Sequence, residues 1–167
     1  MGTRRRRLGT RLRALSDSRG GIGTTPSATV AHMFELTEET LVAASVTTVW
    51  ADFTDPTRLA EWFWPARFEA EAYIDLAPRG HWQIRSPVAG LEIEARVLAT
   101  DPPHSLPLLW REAREEHETD VEITFEQADG ATRVIVHHSG FRSEEEREDH
   151  VEDWSTSLAR LAARHAG

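Results

Sequence analysis

The sequence predicts an α+β domain: a strand, two short helices, six further strands of an antiparallel sheet, and one long C-terminal helix. Three observations predict it. Apolar and polar side chains alternate at period two in a series of short segments from residue 67 to residue 138, the mark of strands with one buried face. Two short helical patterns precede that series, and a long capped amphipathic pattern closes the chain. No segment repeats at the period of about 20–50 residues that a solenoid needs.

Taken in order, residues 1–35 are expected to be a disordered basic arm. Residues 1–32 hold seven arginines against one acid, Asp17, and few large apolar side chains. Such a segment buries too little surface to offset its ordering entropy. No apolar run of about 7–15 residues follows the arginines, as a secretory signal requires. Gly20-Gly21-Ile22-Gly23 lacks the strand before it and the Lys-Ser/Thr after it that make a phosphate loop. The segment reads either as an arm for nucleic acid or an anionic surface or, preferably, as sequence ahead of an alternative start at Met33.

A single domain is expected over residues 36–167. Residues 38–45 read as its first strand. A short helix follows with Val46, Val49, Trp50 and Phe53 on one face. Asp55-Pro56 restarts the chain as N-cap and first helical residue, and Leu59, Trp62 and Phe63 point inward until Pro65. Residues 67–74 alternate as a strand, with Phe68, Ala70, Ala72 and Ile74 inside. Gly80 precedes a strand carrying Trp82 and Ile84, and residues 91–98 place Leu91, Ile93, Ala95 and Val97 on one face. Asp101-Pro102-Pro103 breaks the chain before a strand over residues 106–111. Val121, Ile123 and Phe125 then alternate up to Asp129-Gly130, a hairpin signal, after which Val134, Val136 and His138 share a face. Ser143 with Glu146 reads as a capping box, and Val151, Trp154, Leu158, Leu161 and His165 form one stripe.

Composition narrows function. From residue 33 onward twelve arginines face 27 acids, a balance that repels phosphate backbones and argues against nucleic acid as a partner of the folded part. All 19 basic residues are arginine, which reads as a high-GC bacterial coding bias. The absence of cysteine excludes disulfides, thiolate metal sites and a thiol nucleophile. No stretch approaches the roughly 18 apolar residues that span a bilayer. A cytoplasmic protein without a membrane partner, monomer or homodimer, is expected.

Several short runs, in order and at matching spacing, carry a resemblance. They are Val49-Trp50-Ala51-Asp52-Phe53-Thr54-Asp55-Pro56, Leu59-Ala60-Glu61-Trp62-Phe63-Trp64-Pro65, Arg79-Gly80, Asp101-Pro102-Pro103, Leu108-Leu109-Trp110, His138-Ser139-Gly140-Phe141, and Trp154 with Leu158. Over residues 38–165 the chain resembles the SRPBCC (START/Bet v 1-like) superfamily, in the branch of the C-terminal domain of the heat shock protein 90 ATPase activator. The resemblance implies a helix-grip fold with a cavity between sheet and helix. It also implies a range of functions, from apolar-ligand binding to cyclase chemistry and chaperone assistance, among which fold does not choose. Asp153 and Ala95 stand where that branch often has glycine.

Candidate site residues follow from the strand phases. Trp82, Trp110, Phe125, Phe141 and Trp154, with Leu158, are expected to wall an interior site of roughly 300–1,000 Å³ for an apolar or amphipathic molecule. The plainer alternative for each aromatic is core filling. His138, in phase with Val134 and Val136, points inward as a polar anchor or an acid/base, and His137 points outward, so the pair is no chelate. Glu69/Glu71 and Glu92/Glu94 fall on solvated faces, and no G-x-S-x-G elbow is present. Neither a cofactor, a metal nor a catalytic residue is assigned. The expected function is non-enzymatic ligand binding, with a protein-interaction module second and a cyclase-like enzyme third.

Overall fold

The computed structural model describes residues 34–167. Strand β1 (Glu35–Val42) leads into helices α1 (Val46–Thr54) and α2 (Pro56–Trp62) and a 3-10 turn over Ala66–Phe68. A six-stranded meander follows: β2 (Glu71–Ile74), β3 (His81–Ser86), β4 (Leu91–Val97), β5 (Ser105–Glu112), β6 (Thr119–Ala128) and β7 (Ala131–Ser139). Helix α3 (Glu144–His165) follows β7 and is the last element. All pairings are antiparallel in the order β1-β7-β6-β5-β4-β3-β2, so the first strand lies against the last. The α+β helix-grip architecture read from the sequence is the one observed. The basic arm and the Met33 start lie outside the described residues, of which Phe34 is the first.

Local chemistry sets the element ends. Ser45 caps α1 by accepting the Thr48 N–H, and Asp55 caps α2 by accepting the Arg58 N–H at 3.1 Å, with Pro56 in the first turn. Ser143 accepts the Glu146 N–H at 3.1 Å, as a cap should. The reciprocal half of the expected box is displaced by one residue: the Glu146 carboxylate accepts the Arg142 N–H at 2.8 Å. Asp129 and Gly130 both take positive φ (47° and 79°), the pairing a two-residue hairpin of the right twist demands. At Gly80 a Cβ would stand 2.1 Å from the Asp75 carbonyl oxygen, so only glycine lets β2 turn into β3.

Two boundaries differ from the sequence reading. The first strand spans Glu35–Val42, three residues earlier than expected, because Ser45 is spent as a cap and the Ala44 carbonyl accepts the Thr132 hydroxyl. The strand expected over residues 67–74 keeps only Glu71–Ile74. Pro65 feeds a 3-10 turn instead, and Glu69 leaves it in the left-handed region (φ 48°).

The inner face of the sheet carries Trp82, Ile84, Ala95, Val97, Leu106, Leu108, Val121, Ile123, Val134 and Val136, all buried. Helix α3 meets it with Trp154, Leu158 and Leu161, each such burial being worth about 1.5–3 kcal/mol. The outer face is charged. Glu71 and Arg85 pair across β2 and β3 at 2.9 Å, both exposed, and Arg111 pairs with Glu94. His137 faces outward as expected, beside Thr37 and Glu35.

Candidate functional site

The inward phase of β3, β5 and β7, together with α3, brings five of the seven expected site residues together. Trp110 is the hub: its ring centroid lies 5.6 Å from Trp82, 5.3 Å from Trp154 and 5.7 Å from His138. Phe141 lies 4.4 Å from His138. Phe125 is elsewhere, packed on Phe53 and Trp50 under α1, and Leu158 sits one turn beyond Trp154 in the general core.

The space between these walls is filled. Phe63, the residue ending α2, places its ring 5.8 Å from Trp82, 5.9 Å from Trp154 and 6.5 Å from Trp110. The sequence marked Phe63 as inward-facing but not as the plug of the interior. In place of the expected drug-sized cavity stands a cleft of ≈ 10 Å³ at the end of the sheet, with Trp110, Glu112, Thr119 and His150 among its walls. A larger depression of ≈ 310 Å³ lies at the edge strands, lined by Glu71, Tyr73, Gln83 and Arg85 among others.

His138 is fully buried and both ring nitrogens are engaged. The indole N–H of Trp154 can only donate, so Nδ1 of His138 accepts it at 3.1 Å. Nε2 therefore carries the proton and donates to Thr119 Oγ1 at 2.7 Å. Burial holds this imidazole well below the ordinary value of 6.5, with His150 and then His137 adding repulsion. It is a neutral, fixed tautomer with no nitrogen left for a substrate.

His150, on α3, stacks edge-on at 5.1 Å from His138 but behaves oppositely. Burial pulls its pKa down, yet the hydrogen bonds it donates to Glu112 and to the Glu146 carbonyl, with the Glu112 charge, together raise it. Its Nε2 stands 2.9 Å from Glu112. Two further contacts close the same end. His117 Nε2 meets the Gly140 carbonyl at 2.8 Å, and Arg142 meets Glu115 at 3.2 Å. They tie the β5–β6 loop to the β7–α3 loop.

The buried indoles divide unequally. Trp62 donates to the Asp52 carbonyl, Trp82 to the Phe53 carbonyl and Trp154 to His138, at 2.9, 2.9 and 3.1 Å. Trp110, 3 % exposed and lining the cleft, has no acceptor for its N–H among the described residues.

At the opposite end of α3 lies a polar cluster that the sequence reading missed. Asp52, fully buried, meets Arg58 at 2.7 Å, His165 at 2.6 Å and Arg164 at 3.4 Å. The signal was present: Asp52 occupies the buried stripe of α1 between Val49 and Phe53. Among the described residues no group of three or more His, Asp or Glu is placed to hold a metal ion, and no helix is long and apolar enough to cross a membrane.

Comparison with known proteins agrees with this geometry. The family model described as "Activator of Hsp90 ATPase homolog 1-like protein" matches residues 43–166. No curated protein matches the chain. Among solved structures, protein Ms6760 from Mycobacterium smegmatis is 25 % identical, over 78 % of this chain and 89 % of that one, with a TM-score of 0.66. PFC0360w, an HSP90 activator from Plasmodium falciparum, is 16 % identical over 77 % and 93 % of the two chains, with a TM-score of 0.64. The Aha1 dimer from Colwellia psychrerythraea is 16 % identical over 80 % and 96 %, with a TM-score of 0.67. The last two likenesses establish the fold alone.

Proposed function

The chain belongs to the activator of Hsp90 ATPase homolog 1-like family, and on that premise we propose that it binds a small apolar or amphipathic molecule between its sheet and α3. The observation that carries this reading is Trp110. It is at once the hub of the aromatic cluster and a wall of the cleft, and it keeps an unspent hydrogen-bond donor. A buried donor without a partner costs about 1–3 kcal/mol, a cost the other three buried indoles avoid. Entry is at the end closed by His117, Arg142 and His150. The rings that move aside are Phe141 and His150, 4.8 Å apart at the mouth, and Phe63 within.

Binding fits the site better than turnover does, because His138 spends both nitrogens inside the protein. A protein partner finds less support on the surface. The exposed large apolar side chains Leu41, Tyr73, Val88 and Leu98 lie on separate elements, the first two on opposite edge strands. The test is native mass spectrometry of the full-length protein purified from its own host, followed by denaturing extraction. A small molecule of fixed mass that leaves on denaturation is the expected result. An empty protein that also fails to quench its tryptophan fluorescence with any apolar probe would overturn the reading.

A further inference from the structure

The cleft offers two donors, not one. Because Trp154 forces the His138 proton onto Nε2, Thr119 Oγ1 is the acceptor in its bond to His138. A hydroxyl has one proton of its own. That of Thr119 is not used toward His138 and is left for the cleft that Thr119 lines with its cross-strand partner Trp110, whose buried N–H is also unspent. The remaining walls are Glu112, Glu115 and Glu146 with His117 and His150. The local chemistry is thus two neutral donors beside an aromatic wall, under a rim of glutamates paired with His150 and Arg142.

We infer that this cleft receives the carbonyl oxygen of a neutral apolar ligand, such as a ketone or ester, with Trp110 Nε1 and Thr119 Oγ1 donating to it. The inference rests on the binding reading above and names the polar end of its ligand. A carbonyl oxygen has two lone pairs and so accepts both bonds. The cleft's volume of ≈ 10 Å³ is about the size of one such oxygen. A carboxylate ligand would give up its hydration in a cleft whose neighbouring cations, His150 and Arg142, already pair with its glutamates, and a pure hydrocarbon would leave both donors unmet. His138 is a positioning residue here: it touches no ligand, but its tautomer aims the Thr119 proton.

The test compares three probes on the full-length protein by tryptophan fluorescence titration: 2-acetylnaphthalene, 2-ethylnaphthalene and 2-naphthoate. The ketone is expected to bind about tenfold more tightly than the hydrocarbon, as two modest net hydrogen bonds imply, and the anion most weakly. The carbonyl stretch of the bound ketone should fall below its value in an apolar solvent. Trp110→Phe keeps a ring and removes one donor, so it should cut the ketone's advantage to about threefold. Thr119→Ser should retain the advantage, and Thr119→Val, which also removes one donor, should cut it to about threefold. If either valine or phenylalanine variant fails to fold, the wild-type probe ranking and the carbonyl stretch still decide. Equal binding of ketone and hydrocarbon would overturn the carbonyl inference while leaving the binding reading intact. Binding of none of the three would overturn both.

Discussion

Replacing Asp52 with alanine should unfasten the C-terminal end of α3. The carboxylate is fully buried and holds Arg58 from α2, with His165 and Arg164 from α3, at 2.7, 2.6 and 3.4 Å. Removing one side of a buried ion pair costs about 3–5 kcal/mol, because the partner charges stay behind unpaired. Here the guanidiniums of Arg58 and Arg164 keep 33 % and 25 % of their side-chain exposure, so water recovers part of that loss. The expected cost is therefore about 3 kcal/mol, at the low end of the range. For a domain of this size that lowers the thermal midpoint by about 10–15 °C. Asp52→Asn keeps the shape and some hydrogen bonds, and should cost about 1–2 kcal/mol. Urea denaturation followed by circular dichroism measures both. A double-mutant cycle with His165→Ala should show coupling of about 1 kcal/mol. An alanine variant within about 0.5 kcal/mol of wild type, or strict additivity with His165→Ala, would refute the idea that this cluster anchors the helix.

Other outcomes are expected from the same structure. Stability should pass through a maximum near pH 6.5, because two neighbouring histidines titrate in opposite directions. His138, held neutral, contributes fully above the ordinary imidazole value, and that contribution is lost as the unfolded chain takes up its proton on acidification. His150, with its raised pKa, contributes fully below that value and loses its contribution as pH rises through the raised one. His150→Gln should flatten the alkaline limb alone in a urea-midpoint series against pH. Phe63→Ala should cost about 3–5 kcal/mol and open an apolar space between Trp82, Trp110 and Trp154. Calorimetry should then detect naphthalene binding even where wild type binds it poorly, and a variant that shows no binding would remove Phe63 as the plug. Trp154→Phe deletes the donor to His138 Nδ1 and should cost about 1–3 kcal/mol. It should also raise the His138 pKa, read from its ring proton shifts, since Nδ1 is then free to take a proton.

The strands were legible because each carries its own period-two pattern, which also placed Trp82, Trp110 and His138 on the inner side, as the helical stripe of α3 placed Trp154. It failed where a local backbone event intervened. The alternation from Phe68 to Ile74 is real in phase, but Glu69 in the left-handed region ends a 3-10 turn that no periodicity signals. The first strand slipped because Ser45 belongs to the helix after it, a role that its place just ahead of Val46, Val49 and Phe53 should have suggested. The site was harder, since it is made of partners far apart in sequence. Thr119 meets His138 only through the β6–β7 register, in which Val121 stands opposite His138. Glu112 and His150 meet only once α3 is laid on the sheet. The degree of filling is a sum over volumes, and no strand pattern reports that Phe63 occupies the centre.

The two ends of α3 are held by unlike chemistry, and that difference says which end should separate from the sheet first. At the C-terminal end the contacts are buried or reach backbone: Asp52 with His165, Ser157 to the Phe63 carbonyl at 2.9 Å, and Arg160 to the Trp62 and Phe63 carbonyls at 3.1 and 2.8 Å. At the N-terminal end they are an exposed ion pair between Arg142 and Glu115, a histidine on a carbonyl, and the titratable His150–Glu112 pair. An exposed pair is worth about 0–1 kcal/mol, so the N-terminal turns separate from the sheet at far lower cost than the C-terminal ones. The clamp at Phe63 grips its carbonyl and leaves its ring unbonded, so the plug can turn without releasing the helix. If the proposed ligand enters here, opening should be a local motion of residues 140–150 about a fixed C-terminal half. Bound ketone should slow amide exchange in that segment and leave residues 157–165 unchanged. Equal protection along the whole helix would instead mean that α3 moves as one body.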